Sequence, residues 1–281
     1  MKTPLSIACI QMDAGSDKET NIRKAEGLID EAARKGAEVV GLPEMFNFLG
    51  AGEDKFAMAE PLDGQTIEAL AQKAMEHRIY IHGGSILESI PGSTRIYNTT
   101  VFIDPNGKIV DVYRKMHLFD VNIEGGGGVK SNESAFVESG ERLVTVEANG
   151  WTFGLTICYD LRFPELYRKL TLMGAQAIWI PAAFSLVTGK DHWITLCRAR
   201  AIENQVYILA PAQIGRNLET GYTNFGRSVV IDPWGIVTSQ AGDGETVVVA
   251  EIDASKIEAI RRGLPALKHR KPSVYGQLTP L

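Results

Sequence analysis

A chain of 281 residues with 44% hydrophobic and 22% charged side chains can bury a sizeable core, which excludes the disordered and fibrous classes. A formal net charge of −5 with no basic block argues against nucleic acid or an anionic membrane surface as partner and leaves small molecules as the expected ones. Three cysteines without metal-ligand spacing, an N-terminus lacking the regions of a signal peptide, and no apolar run of bilayer length predict a cytoplasmic protein without a metal site.

Leu5–Gln11 reads as an apolar strand. Residues 17–35 then carry Ile22, Ala25, Leu28, Ile29 and Ala32 at helical spacing, and Gly36 stops that helix. Residues 37–42 are a continuous apolar run suited to a parallel strand buried on both faces, and it ends at Pro43 and Glu44. Residues 66–77 predict a helix and 79–83 a strand. VFIDPNGKIV, 101–110, predicts two strands joined at Pro-Asn-Gly, with Lys115 just beyond.

The second half repeats this order. FGLTICYD from Phe153 echoes LSIACIQMD from Leu5, GAQAIWIPA from Gly174 answers GAEVVGLPE from Gly36, and VVIDPWGIV from Val229 answers VFIDPNGKIV from Val101. Two α/β halves follow, each with helices on one sheet face and a bare face that the other half can cover. The predicted fold is therefore α/β, an α-β-β-α sandwich of two face-to-face mixed sheets flanked by helices, read as one domain over 1–281. Residues 123–139, Gly-rich through Gly125 to Gly128, are read as a flexible loop near the site. Residues 189–205 predict a helix behind a Thr188/Asp191 capping box, with Ile194, Cys197 and Ala201 on one face. Cys9 and Cys197 read as core, and residues 264–281 as a tail lying on a surface.

Chemistry centres on WTFGLTICYDLRFPELYR, 151–168, where an apolar strand runs into Cys158 and then into a helical pattern. Amide N–H groups opening a helix lower a thiol pKa and can hold an oxyanion; an inert core cysteine is the alternative. For the base, His117 and His192 lie near candidate segments. Glu44 is the better candidate, because desolvation behind a buried strand raises a carboxyl pKa towards neutrality. Lys115, amid apolar residues, either stabilises developing negative charge or is simply solvated. Arg162, Arg198, Arg200 and Arg216 are read as partners of internal acids, with no binding role assigned. Neither a P-loop nor a G-x-G-x-x-G is present.

At GLPEMF, YRKMHLFD and GLTICYDLRFPELYR, in this order, the chain resembles the nitrilase superfamily of carbon–nitrogen hydrolases, and the likeness runs on to HRKPSVYG. It looks most like the branch of the deaminated glutathione amidases. The resemblance implies the same α-β-β-α fold and a Glu-Lys-Cys triad of Glu44, Lys115 and Cys158, with no cofactor. It implies that Lys115 and the Tyr159 backbone N–H hold the oxyanion. Glu133 is expected to support Lys115, with Glu124, Glu138 and Glu141 as rivals, and residues 182–193 to line the pocket. It also implies a homodimer, with the helix after the cysteine and the 264–281 tail at the contact. The expected activity is an amidase that cleaves the amide of a small carboxylate-bearing substrate, deaminated glutathione first, through a Cys thioester with release of ammonia. An ω-amidase acting on α-keto acid amides, an N-carbamoyl amidohydrolase and a nitrilase share that triad. A non-catalytic binding dimer and a Cys–His hydrolase or thiol redox protein are the readings from other classes.

Overall fold

Alternation along Leu5–Gln11 sets the layering, since successive side chains of a strand face opposite ways. In the computed structural model, which describes residues 4–50, 54–124, 128–217 and 219–275, Ala8 and Ile10 share a core with Ala25, Ile29 and Ala32 of the helix Lys18–Arg34. Leu70 and Ala74 of the helix Gln65–His77 complete it. Ile7 and Cys9 belong instead to a core with Phe153, Leu155 and Trp179 of a second sheet. The Asp17 carboxylate caps the first helix by accepting the Thr20 N–H at 3.1 Å, and Gly36, at φ +84°, ends it.

The first sheet has the order Thr246–Ile252, Leu5–Gln11, Val39–Gly41, Tyr80–His82, Ile96–Ile103, Ile86–Ser89, with Ile109–Arg114 also paired to Ile96–Ile103. The second has the order Val237–Gln240, Val229–Ile231, Tyr207–Ala210, Ala177–Trp179, Trp151–Leu155, Thr145–Ala148. In each, three strands run parallel and an antiparallel hairpin strand follows the third, which is the repeat the sequence echoes predict. Leu166 and Leu170 of the helix Pro164–Leu172, with Trp193, Cys197 and Ala201 of the helix Leu186–Asn204, cover the second sheet. The architecture is the predicted α-β-β-α sandwich.

Aromatic rings fill the space between the sheets. Trp179 stacks on His82 with centroids 5.1 Å apart, and Phe102 stacks on Phe153 at 5.9 Å. Gly41 leaves room for the Trp179 ring: a Cβ built there would lie 2.3 Å from one of its carbons.

Three local expectations are corrected, and one strand was not foreseen. The strand Thr246–Ile252, unforeseen in the sequence, returns from the end of the second half to pair antiparallel with Leu5–Gln11, so the second half supplies an edge strand to the first sheet. The long helix begins at Leu186, not at 189. Its cap is Ser185, whose Oγ accepts the Val187 N–H at 3.1 Å, and Thr188 lies inside the first turn. Cys158 opens a 3₁₀ turn, Cys158–Arg162, because Pro164 fixes where the α-helix can start and holds Phe163 extended. Residues 123–139 are not simply loop: Asp120–Ile123 pairs with Val129–Asn132, and the short 3₁₀ helix Glu133–Ala135 follows. Residues 125–127 of the glycine run and 276–281 of the tail lie outside the described residues. Among the described residues, no helix is long and apolar enough to cross a membrane.

Adding one methyl group at Gly41 forces the fully buried Trp179 ring to move between two packed sheets. Gly41→Ala is expected to cost about 1–3 kcal/mol of stability, the usual range for overpacking. A denaturant midpoint equal to that of the wild type would contradict this packing.

Candidate active site

Two strands of the same type, one in each sheet, deliver the central groups. Val39–Gly41 ends at Pro43 and Glu44, and Trp151–Leu155 ends just before Cys158. These are carboxyl ends of parallel strands, where α/β sheets open their crevices. Both turns carry a non-glycine residue in the left-handed region, Met45 at φ 52° and Cys158 at φ 44°. Such backbone is costly and persists only where the surroundings impose it. At Cys158 the restraint is visible: its N–H donates to the Pro181 carbonyl at 2.9 Å, and the next turn is closed by Asp160.

Asp160, fully buried, joins the cysteine turn to the lysine segment. One carboxylate oxygen accepts the Ile157 N–H at 2.8 Å and the Tyr113 hydroxyl at 2.7 Å. The other accepts the His117 N–H at 3.1 Å and lies 2.7 Å from His117 Nδ1. Tyr113 and His117 flank Lys115, so one carboxylate sets where the ammonium and the thiol stand relative to each other.

Lys115 is buried between two glutamates. Its Nζ donates to Glu44 Oε1 at 3.0 Å and to the two oxygens of Glu133 at 3.1 and 2.9 Å. Asn98 bridges the same carboxylates, its Nδ2 reaching Glu44 Oε1 at 3.0 Å and Glu133 Oε1 at 3.3 Å, while its backbone carbonyl accepts the Lys115 N–H at 2.8 Å. The other Glu44 oxygen accepts the Ala183 N–H at 2.9 Å. Glu133 also takes the Phe119 N–H at 2.6 Å. Of the rival glutamates, Glu124 and Glu141 are exposed and Glu138 pairs with Arg95.

These contacts reverse two expectations. Burial pushes the Glu44 carboxyl up, but the Lys115 ammonium, the Cys158 thiol and the Ala183 N–H overcome it and hold the group below its ordinary range. Burial, reinforced by the charge of Glu44, pushes the Cys158 thiol well above its ordinary range despite Lys115. Burial also opposes the Lys115 charge, yet Glu133 and Glu44 keep that ammonium well above the usual lysine value. The resting site is thus a carboxylate beside a neutral thiol, and a buried ammonium beside both.

Glu44, Lys115, Glu133 and Cys158 all line one cavity of about 250 Å³, with Tyr159 from the cysteine turn. Ala183, Phe184, Ser185 and Thr188 form part of the wall, as expected for residues 182–193. Among the described residues, no histidine lines it. His117 is held by Asp160 and stacked on Phe163 at 3.6 Å, and His192 meets Arg162 at 3.3 Å. Arg198 and Arg200 bond the Gly235 and Leu161 carbonyls, and Arg216 lies on an outer hairpin. Arg162 departs from the reading that gave it no part, because it lines the cavity with its guanidinium over the Tyr159 and Phe184 rings. Asn98, Lys55, Lys130 and Tyr222 are further site residues that the sequence reading missed. For Asn98 the signal was present, an amide in the middle of IYNTTVFI, where asparagine is uncommon.

A family model for carbon–nitrogen hydrolases matches residues 6–262. The chain is 41% identical over 270 residues, 95% of its length, to a deaminated glutathione amidase of Synechocystis sp., covering 98% of that protein. It is 39% identical over 270 residues to the omega-amidase NIT2 of Mus musculus, covering 96% of each chain. The crystal structure of Saccharomyces cerevisiae Nit3, a member of branch 10 of the nitrilase superfamily, superposes with a TM-score of 0.85 at 34% identity, over 95% of this chain and 97% of that one. With the family model spanning nearly the whole chain and full-length relatives at this identity, the chain belongs to the carbon–nitrogen hydrolases of the nitrilase superfamily.

Proposed function

We propose that this hydrolase is an amidase that works through a thioester on Cys158, with Glu44 as base, Lys115 as electrophilic support and Glu133 as the residue that positions Lys115. The observation that carries the reading is the buried Glu44–Lys115–Glu133 cluster opening into the same cavity as Cys158. A high thiol pKa next to a low carboxyl pKa means that the thiolate does not accumulate. Proton transfer from Sγ to Glu44 and attack of Sγ on the amide carbon therefore proceed together. Negative charge on the carbonyl oxygen is met by the Lys115 ammonium and the Tyr159 N–H. Collapse of the adduct breaks the C–N bond, and protonated Glu44 returns its proton to the departing nitrogen. Glu44 then takes a proton from water, hydroxide adds to the thioester, and the carboxylic acid leaves as the proton returns to sulfur. No step calls for a cofactor.

The names of the relatives support a small amide bearing a carboxylate, with deaminated glutathione the leading substrate and an α-keto acid ω-amide the alternative. Arg162 at the cavity wall suits that carboxylate. Ammonia is the leaving group where the amide is primary; an amide of a peptide releases a peptide amine. N-carbamoyl amines and nitriles fit the same triad, but no feature of the cavity favours them. Three free, buried thiols support a reducing, cytoplasmic setting. Exposed Leu172, Met173, Val274 and Tyr275 support the expected homodimer with the tail at its contact, the whole chain acting as one unit.

Glu44→Gln is expected to lower kcat/KM for the preferred amide by roughly 10²–10⁴-fold, whereas His117→Ala and His192→Ala retain the triad chemistry. An inactive histidine variant beside an active Glu44→Gln would overturn the assignment.

The pH profile tests the resting protonation state. Because the Glu44 pKa is depressed, its base form persists as pH falls and is lost only below the ordinary glutamate value of about 4.3. Because the thiol pKa is raised, no thiol limb is expected near the ordinary value of about 8.5. An acid limb of kcat/KM near neutrality, measured while circular dichroism reports an intact fold, would contradict this electrostatic reading.

A further inference from the structure

The cavity holds positive charge that the reaction does not use. Lys115 is neutralised by two glutamates, but Lys55 and Lys130 also line the cavity, and among the described residues neither has a carboxylate within ion-pair distance. Lys55 comes from the short helix Asp54–Met58, and its ammonium sits 4.4 Å from the centre of the Phe136 ring, half-buried. Glu133 is the acid whose field it feels, yet both oxygens of Glu133 are taken by Lys115, and Asn98 and the Phe119 N–H add to them. Burial accordingly pushes the Lys55 ammonium below its ordinary range, with Glu133 only partly opposing it. Lys130, exposed on the strand Val129–Asn132, stands on the same cavity.

The position of these lysines matters as much as their charge. Arg162 belongs to the wall made by Tyr159 and Phe184, and Lys55 to the wall made by Phe136. A single small carboxylate held at Arg162 leaves the half-buried Lys55 with no carboxylate of the described residues at ion-pair distance, only the more distant field of Glu133, which is unfavourable for a charge. A substrate with an anionic group at each end satisfies both walls.

We propose that Lys55, with Lys130 on the same cavity, forms a second anion subsite, so that the preferred amide carries two carboxylates, the second held by Lys55. The inference rests on the amidase reading and deepens it. It favours an amide whose acyl part and amine part each carry a carboxylate, the chemistry of deaminated glutathione, over a monoanionic primary amide such as α-ketoglutaramate.

The test compares kcat/KM for these two compounds in the wild type, Lys55→Met and Lys55→Arg. The ratio of the two-carboxylate to the one-carboxylate substrate is expected to fall about 10- to 100-fold in Lys55→Met, the usual worth of a hydrogen bond to a charged group. The loss should sit mainly in KM, and Lys55→Arg should restore most of it. An unchanged ratio in Lys55→Met would overturn the subsite. Titration calorimetry of the same two compounds into Cys158→Ala protein, with and without Lys55→Met, separates this from failure of the substrate reading. If the wild type turns over neither compound, tighter binding of the dicarboxylate that is lost in Lys55→Met still supports the subsite, and equal affinity of the two compounds refutes it.

Discussion

Everything at this site depends on one buried ammonium shared by two carboxylates. Lys115 is brought to the cavity by a strand of the first sheet, Glu44 by the end of another, and Glu133 by a 3₁₀ helix after an outer hairpin. Burying any one of these charges alone is costly, and removing one partner from a buried pair costs about 3–5 kcal/mol. The cluster therefore holds three separate segments in one arrangement. Asn98 reinforces it by bonding both carboxylates and the Lys115 backbone, and Asp160 extends it by tying Tyr113 and His117 to the cysteine turn.

The same cluster explains why the thiol stays neutral. Glu44 stands next to Cys158 and repels a second negative charge, and burial acts in the same direction. A cysteine hydrolase of the histidine type stores its nucleophile as a thiolate paired with an imidazolium. Here burial and Glu44 raise the thiol pKa while Lys115 helps to hold the Glu44 carboxyl low, so in the proposed mechanism charge reaches sulfur only as a bond to carbon forms. The left-handed backbone at Cys158 and the 2.9 Å bond from its N–H to the Pro181 carbonyl fix the residue at the strand tip.

Much of the fold was legible because local pattern and repeat agreed. Leu5–Gln11, the helix ended by Gly36, and the hairpin around Pro105 and Gly107 appear where periodicity and turn residues put them. The face-to-face packing followed from two half-sequences that each left one sheet face bare. What failed was non-local. Nothing in TVVVAEI names a partner about 240 residues earlier, so its pairing with Leu5–Gln11 stayed hidden. The two pKa directions failed for the same reason: Pro43 and Glu44 predict burial, but only the folded chain brings Lys115 against Glu44 and Glu44 against Cys158. The helix start was a local ambiguity, with Ser185 and Thr188 both plausible caps, and Ser185 took the role while Thr188 faced the cavity. Glu133 was named by resemblance. Its neighbours gave no reason to prefer it over Glu124, Glu138 or Glu141, and its burial against Lys115 separates it from them.

The central claim is that the acyl group passes through sulfur at Cys158, and intact-protein mass spectrometry tests it most directly. Enzyme mixed with excess amide and quenched in acid during turnover should carry one added acyl group. Peptide mapping should locate it on Cys158, it should appear before the carboxylic acid is released, and Cys158→Ala should neither gain mass nor turn over substrate. Full turnover by Cys158→Ala, or an acyl group on any other residue, would contradict the account.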